Sequence, residues 1–128
     1  MLGSTDIIAF VPTKDSRKAR SFYEGMLGLR FVSDDGFALV FNAHGIMIRV
    51  VKTQPFTPVE HTILGWRVKG IEQMVSALLE KGVHCERFGF FQQDDLGIWT
   101  APNGDKVAWF KDPDGNTLSI SEHDARRA

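Results

Sequence analysis

A chain of 128 residues with 43% hydrophobic and 24% charged residues has the composition of one ordinary water-soluble domain, or of two half-size modules sharing a core. The 15 Lys and Arg against 16 Asp and Glu leave a net charge of −1 with the signs well mixed, which excludes the basic stripe of a nucleic-acid binder and an acidic interaction tail. The single cysteine, Cys85, permits no internal disulfide, no stretch approaches the roughly 18 apolar residues of a membrane span, and no charged-then-apolar leader opens the chain, so a cytoplasmic protein with no membrane partner is expected.

Asp6 to Val11 reads as a strand stopped by Pro12. Asp15 or Ser16 is a good N-cap for the next element, where Ala19, Phe22, Tyr23, Met26 and Leu27 recur at helical spacing and Gly28 supplies the C-cap. Leu29 to Ser33 and Phe37 to Phe41 are strands joined by an Asp34-Asp35-Gly36 turn. Asn42 to Gly45 turns the chain again, and Ile46 to Val51 is the last strand of the half. The order is β-α-β-β-β over residues 1–52.

Residues 53–60 contain Pro55 and Pro58 and read as a linker. In 61–128 the order returns. His61 to Val68 is a strand, and Ile71, Met74, Val75, Leu78 and Leu79 form a helical stripe ended by Gly82. Val83 to Phe88 reads as a strand, residues 89–97 as a loop, and Ile98 to Ala101 as a short extra strand. Asn103-Gly104 then turns the chain into Lys106 to Phe110. Asp112-Pro113-Asp114-Gly115-Asn116 is a tight connection to a final strand, Thr117 to Ser121. Proline presets φ, glycine takes the φ > 0 position, and the Asp and Asn side chains bond back to the turn. Element order therefore repeats at a period of about 55 to 65 residues. The terminal Arg126-Arg127 reads as a solvated end.

Three segments carry a resemblance. Asp15…Phe22-Tyr23-x-x-x-Leu27-Gly28-Leu29 resembles the opening of the vicinal oxygen chelate superfamily, whose members include glyoxalase I, bleomycin-resistance proteins and extradiol dioxygenases. Leu78-Leu79-Glu80-Lys81-Gly82, closing a helix that follows the strand ending at Val68, is similar to its second-half start. Lys111 to Asn116 resembles its final hairpin. The resemblance covers nearly the whole chain and implies an α+β fold: a single glyoxalase-like domain over 1–128, built of two βαβββ modules that form a cupped mixed sheet with helices outside and a cavity within. It also implies that a homodimer is common.

Enzymes of that superfamily hold a divalent metal in the cup, on His, Glu or Gln from the first and last strands of each module. Carried onto this sequence, the four positions are Ile8, Arg49, Ile63 and Ser119. Isoleucine has no donor atom and a guanidinium repels a cation, so no metal and no other cofactor is expected. Phe10, Met47, Gly65 and Arg67 share strand parity with these positions. Phe90, Phe91 and Trp99 sit in or beside the loop, where an aromatic suggests a lid or a dimer contact, while Trp66 and Trp109 suit a core. The expected ligand-binding set is thus Ile8, Phe10, Met47, Arg49, Ile63, Arg67, Trp99 and Ser119, with Arg49 as the inward charge.

Other chemistries find little purchase. His61 could seed a displaced metal site with carboxylates, but Glu122 has opposite parity to Ser119. His84 and Cys85, adjacent on an expected strand, would point to opposite faces. Asp94-Asp95 reads as a solvated loop pair, and the chain has no G-x-S-x-G, P-loop or G-x-G-x-x-G motif. No catalytic residue is assigned. The resemblance favours a metal-free protein that binds a small organic molecule, anionic or aromatic. The alternatives are a metal-dependent lyase or dioxygenase and a ligand-free dimeric module.

Overall fold

The computed structural model describes residues 1–123; the Arg126-Arg127 pair lies outside the described residues. The chain divides into two compact units, Met1–Pro58 and a second from Val59 onward, with the boundary inside the expected 53–60 linker. Both have the α+β order read from the sequence. After a single 3-10 turn at Leu2–Ser4, the first contains β1 (Ile8–Thr13), α1 (Ser16–Arg20), β2 (Arg30–Asp34), β3 (Ala38–Ala43) and β4 (Ile46–Lys52). The second contains β5 (Thr62–Arg67), α2 (Ile71–Glu80), β6 (Trp99–Thr100), β7 (Lys106–Lys111) and β8 (Thr117–Glu122). The sheets have matching strand orders, β1-β4-β3-β2 and β5-β8-β7-β6. In each, the first strand runs parallel to the last and the remaining pairs are antiparallel.

In the first unit Asp15 caps α1, its carboxylate accepting the Lys18 N–H at 3.2 Å. The helix does not stop at Arg20. It widens into a π-helical stretch, Ser21–Met26, which buries Phe22 and Tyr23 and ends with the Leu29 N–H on the Tyr23 carbonyl at 2.9 Å. Tyr23 lies 5.9 Å from Phe41 and Phe31 lies 5.6 Å from Phe41, centroid to centroid. In register with Phe41 is the buried Ile48, so these side chains form the helix-facing side of the sheet. The strand expected to end at Pro12 continues through it to Thr13. β1 pairs only with β4, and at a sheet edge the missing proline N–H costs no ladder bond.

In the second unit α2 packs on β7 and β8. It buries Ile71, Val75 and Leu78, and the strands bury Ala108, Phe110, Leu118 and Ile120. Trp66 stacks on Phe110 at 6.4 Å. The α2 N-terminus is closed by the last strand: both Glu122 carboxylate oxygens accept backbone N–H groups, from Gly70 at 3.0 Å and Ile71 at 3.1 Å. Those N–H groups hold the Glu122 carboxyl below its ordinary range. The final hairpin matches its sequence signature. Asp112 Oδ1 accepts from the Asp114 and Asn116 N–H groups at 2.9 Å, Asp112 Oδ2 accepts from the Asn116 amide at 2.8 Å, and Gly115 sits at φ 87°.

One expected element is absent. Val83 to Phe88 is irregular rather than a strand. Its backbone reaches the sheet through the Glu86 N–H, which donates to the Trp109 carbonyl at 2.7 Å. Gln93 takes the backbone groups a neighbouring strand would use. Its amide donates to the Glu86 and Gly97 carbonyls at 2.9 and 2.7 Å and accepts the Phe88 N–H at 2.8 Å. The residues expected to be an extra strand instead form β6, beside β7, so the second unit is a βαβββ module with no added strand.

Candidate functional site

Strand register decides which side chains share a face, because successive residues point to opposite sides. In the first sheet Ile8 pairs with Met47 and Phe10 with Arg49. These four lie together on the face turned away from the helix. That face is open: Ile8 is 45% exposed, Phe10 60% and Met47 40%. Arg49 is already matched in charge. Its Nη2 meets Asp35 Oδ2 at 2.7 Å, and Asp35 Oδ1 accepts the Phe37 and Ala38 N–H groups at 2.9 Å. The guanidinium first, then those N–H groups, hold the Asp35 carboxyl down at about 2.

In the second sheet two rows cross the face turned away from α2. One runs Gly65, Ser119, Trp109; the other runs Arg67, Ser121, Val107, Trp99. A Cβ at Gly65 would stand 2.8 Å from Ser119 Oγ, so that hydroxyl lies over bare backbone. Arg67 is exposed, with no acidic partner among the described residues. Thr117, two positions before Ser119, buries its hydroxyl without a hydrogen-bond partner. Above this face the aromatic side chains gather. Phe91 stacks on Trp109 at 5.2 Å with ring planes 6° apart, and on Trp99 at 4.6 Å with planes 28° apart. Trp99 and Trp109 are 6.1 Å apart. Phe88 meets Trp109 edge-on at 5.4 Å, and Phe90 meets Phe91 at 4.6 Å while remaining 80% exposed. Trp109 thus joins Trp99 on the open face rather than in a core under the helix.

Ile63 falls in a β-bulge between Thr62 and Leu64 and has no register partner. The bulge also breaks the parity that linked His61 to Ile63. His61 is exposed and its Nδ1 lies 3.2 Å from the Thr62 carbonyl. Glu122 is committed to the α2 cap, on the opposite parity from Ser119. The four inherited positions offer two aliphatic side chains, a paired guanidinium and one hydroxyl, and no group of three His, Cys, Asp or Glu is poised to hold a metal ion among the described residues. The donor set does not suit a divalent metal.

Because Val83 to Phe88 is not a strand, His84 and Cys85 are not held on opposite faces. Both line a hollow of about 220 Å³ with Val75, Leu79, Arg87 and Leu96. Burial pushes the Cys85 thiol up, which disfavours the nucleophilic thiolate. Asp94 is structural: Oδ1 accepts the Leu96 and Ile98 N–H groups at 3.0 and 2.9 Å. A larger, open hollow of about 590 Å³ beside the π-helical turn is lined by Ser16, Arg17, Arg20, Ser21, Glu24 and Asp34. Most of its charge is internally matched, Arg20 with Glu24 and Asp34 with Lys52.

The structure resembles solved proteins of one group. TnmS3, an antibiotic binding protein from Streptomyces sp. CB03234, matches at TM-score 0.73 and 23% identity over 97% of this chain and 99% of its own. A glyoxalase/bleomycin resistance protein/dioxygenase superfamily member from Sphaerobacter thermophilus matches at 0.73 and 19%, over 96% and 100%. Lactoylglutathione lyase from Agrobacterium tumefaciens matches at 0.71 and 15%, over 93% of each chain. No family model matches the sequence, and no curated protein matches it. No described helix is long and apolar enough to cross a membrane. Two βαβββ modules of matching strand order, aligned end to end with these structures, give the chain the fold of the vicinal oxygen chelate superfamily, that of the glyoxalases, bleomycin-resistance proteins and dioxygenases.

Proposed function

We propose that this chain binds a flat, anionic organic molecule without a metal, on the open face of its second sheet. The observation that carries the reading is the Trp99 and Trp109 surface, on which the Phe91 ring lies nearly parallel to Trp109 and tilted by 28° to Trp99. Stacked rings are the arrangement that aromatic quadrupoles favour when offset. The Ser119 hydroxyl offers a donor or acceptor on the same face, and Arg67, without an acidic partner among the described residues, offers a charge to a sulfonate or carboxylate. Binding sites of this kind are mostly apolar with a few placed polar groups. The unsuitable donor set at the inherited metal positions supports a binder over a metal-dependent lyase or dioxygenase. The likeness to an antibiotic binding protein is in keeping with it.

The test is a titration with anthraquinone-2-sulfonate, a flat aromatic anion that quenches tryptophan. Saturable, stoichiometric quenching is expected, with a rise in melting temperature that follows ligand concentration. Trp109→Leu should weaken binding by about tenfold or more, and Arg67→Ala should weaken it less and remove part of its salt dependence. Absence of saturable binding overturns the reading. Metal analysis of protein purified without chelators is the second arm: stoichiometric Ni, Zn, Mn or Fe would overturn the metal-free assignment.

A further inference from the structure

Phe91 occupies the surface that the proposed guest needs. Its ring lies nearly parallel to Trp109 and overlaps Trp99 at 4.6 Å. A flat molecule cannot meet the same tryptophan faces while Phe91 remains there, because a centroid separation of 5.2 Å leaves no space for a third ring between them; two stacked layers need about 7 Å. Resting on the reading of this face as the binding surface, we propose that Phe91 is a resident stand-in for the ligand, a self-stacking plug that an incoming flat aromatic displaces.

The segment carrying Phe91 is built to let go at one end and hold at the other. On its C-terminal side Gln93 makes three amide hydrogen bonds and Asp94 caps two N–H groups. At the tip the Phe91 N–H donates to the Phe88 carbonyl at 3.1 Å. Phe90 is largely exposed and Gly89 has no heavy atom near its open side. The tip can therefore swing on a fixed base, giving up a ring stack that the guest replaces. The plug also keeps the tryptophan faces dry and hidden when no guest is present, and it sets specificity. A guest must stack better than one phenyl ring, which favours fused ring systems over single rings.

The experiment compares anthraquinone-2-sulfonate and the single-ring benzenesulfonate on wild type, Phe91→Ala, Phe91→Leu and Asp35→Asn. Removing the competing ring should tighten binding of the fused probe by about two- to tenfold in both Phe91 variants. Asp35→Asn, on the first sheet, should leave it unchanged. The preference for the fused probe over the single ring should shrink when Phe91 is gone. In wild type, hydrogen exchange at the Phe91 amide should speed up on binding as its bond to Phe88 opens; this needs no variant to fold. Weaker or unchanged affinity in both Phe91 variants, or added protection at that amide, overturns the plug while leaving a Trp109-dependent site standing. Failure of wild type and every variant to bind removes the site and the plug together.

Discussion

The two units share a strand order and part company in one connection. In the first, the chain leaves its helix at Leu27 and enters β2 by Arg30. In the second, the equivalent passage runs from Lys81 to Ile98 before the two-residue β6 begins. The ladder arrangement is otherwise repeated, parallel pair and antiparallel pairs alike. The open face of the first sheet carries Ile8, Phe10 and Met47 around an arginine already matched by Asp35. That of the second carries two tryptophans, a serine over a glycine and an arginine without an acidic partner among the described residues. A repeated scaffold can thus keep its strand pairing and change both the side chains on its open face and the crossover that covers it, because ladder bonds are made by the backbone and loops tolerate change.

Four substitutions sharpen this contrast. The largest effect should come where the units are alike. Phe41→Ala and Phe110→Ala each remove a buried ring from a helix-facing side and should each cost about 3–5 kcal/mol in denaturant unfolding. A markedly smaller loss in either would break the equivalence of the two cores. The next probes where they differ. Gln93→Ala leaves the Phe88 N–H and two carbonyls without their amide partner and should cost about 1–3 kcal/mol, accompanied by a change in tryptophan emission as Phe91 loses its support. No sequence change in the first unit has a counterpart to this. The smallest concerns the Arg49–Asp35 pair. Asp35 titrates near 2 when folded against a usual value of 3.8, so its stabilisation is present above about pH 4 and disappears as pH falls toward 2. Asp35→Asn should flatten that part of the acid-unfolding curve and slightly lower stability at neutral pH, with no change in affinity for the flat anion. A loss of affinity would draw the first sheet's face into binding.

Much of the fold was legible because its punctuation is local. Asp15, Gly28 and the Asp112–Asn116 turn act through their own backbone neighbours, and short-range chemistry can be read from adjacent letters. The parity of Ile8, Phe10, Met47 and Arg49, and of Gly65, Arg67 and Ser119, followed from simple alternation. What was not legible depends on distant partners. Val83 to Phe88 has the composition of a strand, yet Gln93 and β6 take the hydrogen-bonding positions it would fill. The bulge at Ile63 defeats alternation, and Pro12 is tolerated only because β1 is an edge. The pairing of Arg49 with Asp35 and the capping of α2 by Glu122 bring together residues 14 and 52 or 51 positions apart. Trp109 suited a core by size, and only the register with Ser119 turns it to the open side.

Gly65 has a consequence for how this surface can be altered. A β-carbon there would stand 2.8 Å from the Ser119 side-chain oxygen, so any decoration of the floor turns aside the hydroxyl that a guest would meet. Retuning the molecule toward a new guest must therefore come from the roof, through Phe90, Phe91 and their flanks, where a change of side chain disturbs no ladder. The floor acts as a fixed template, and the crossover above it is the part open to redesign.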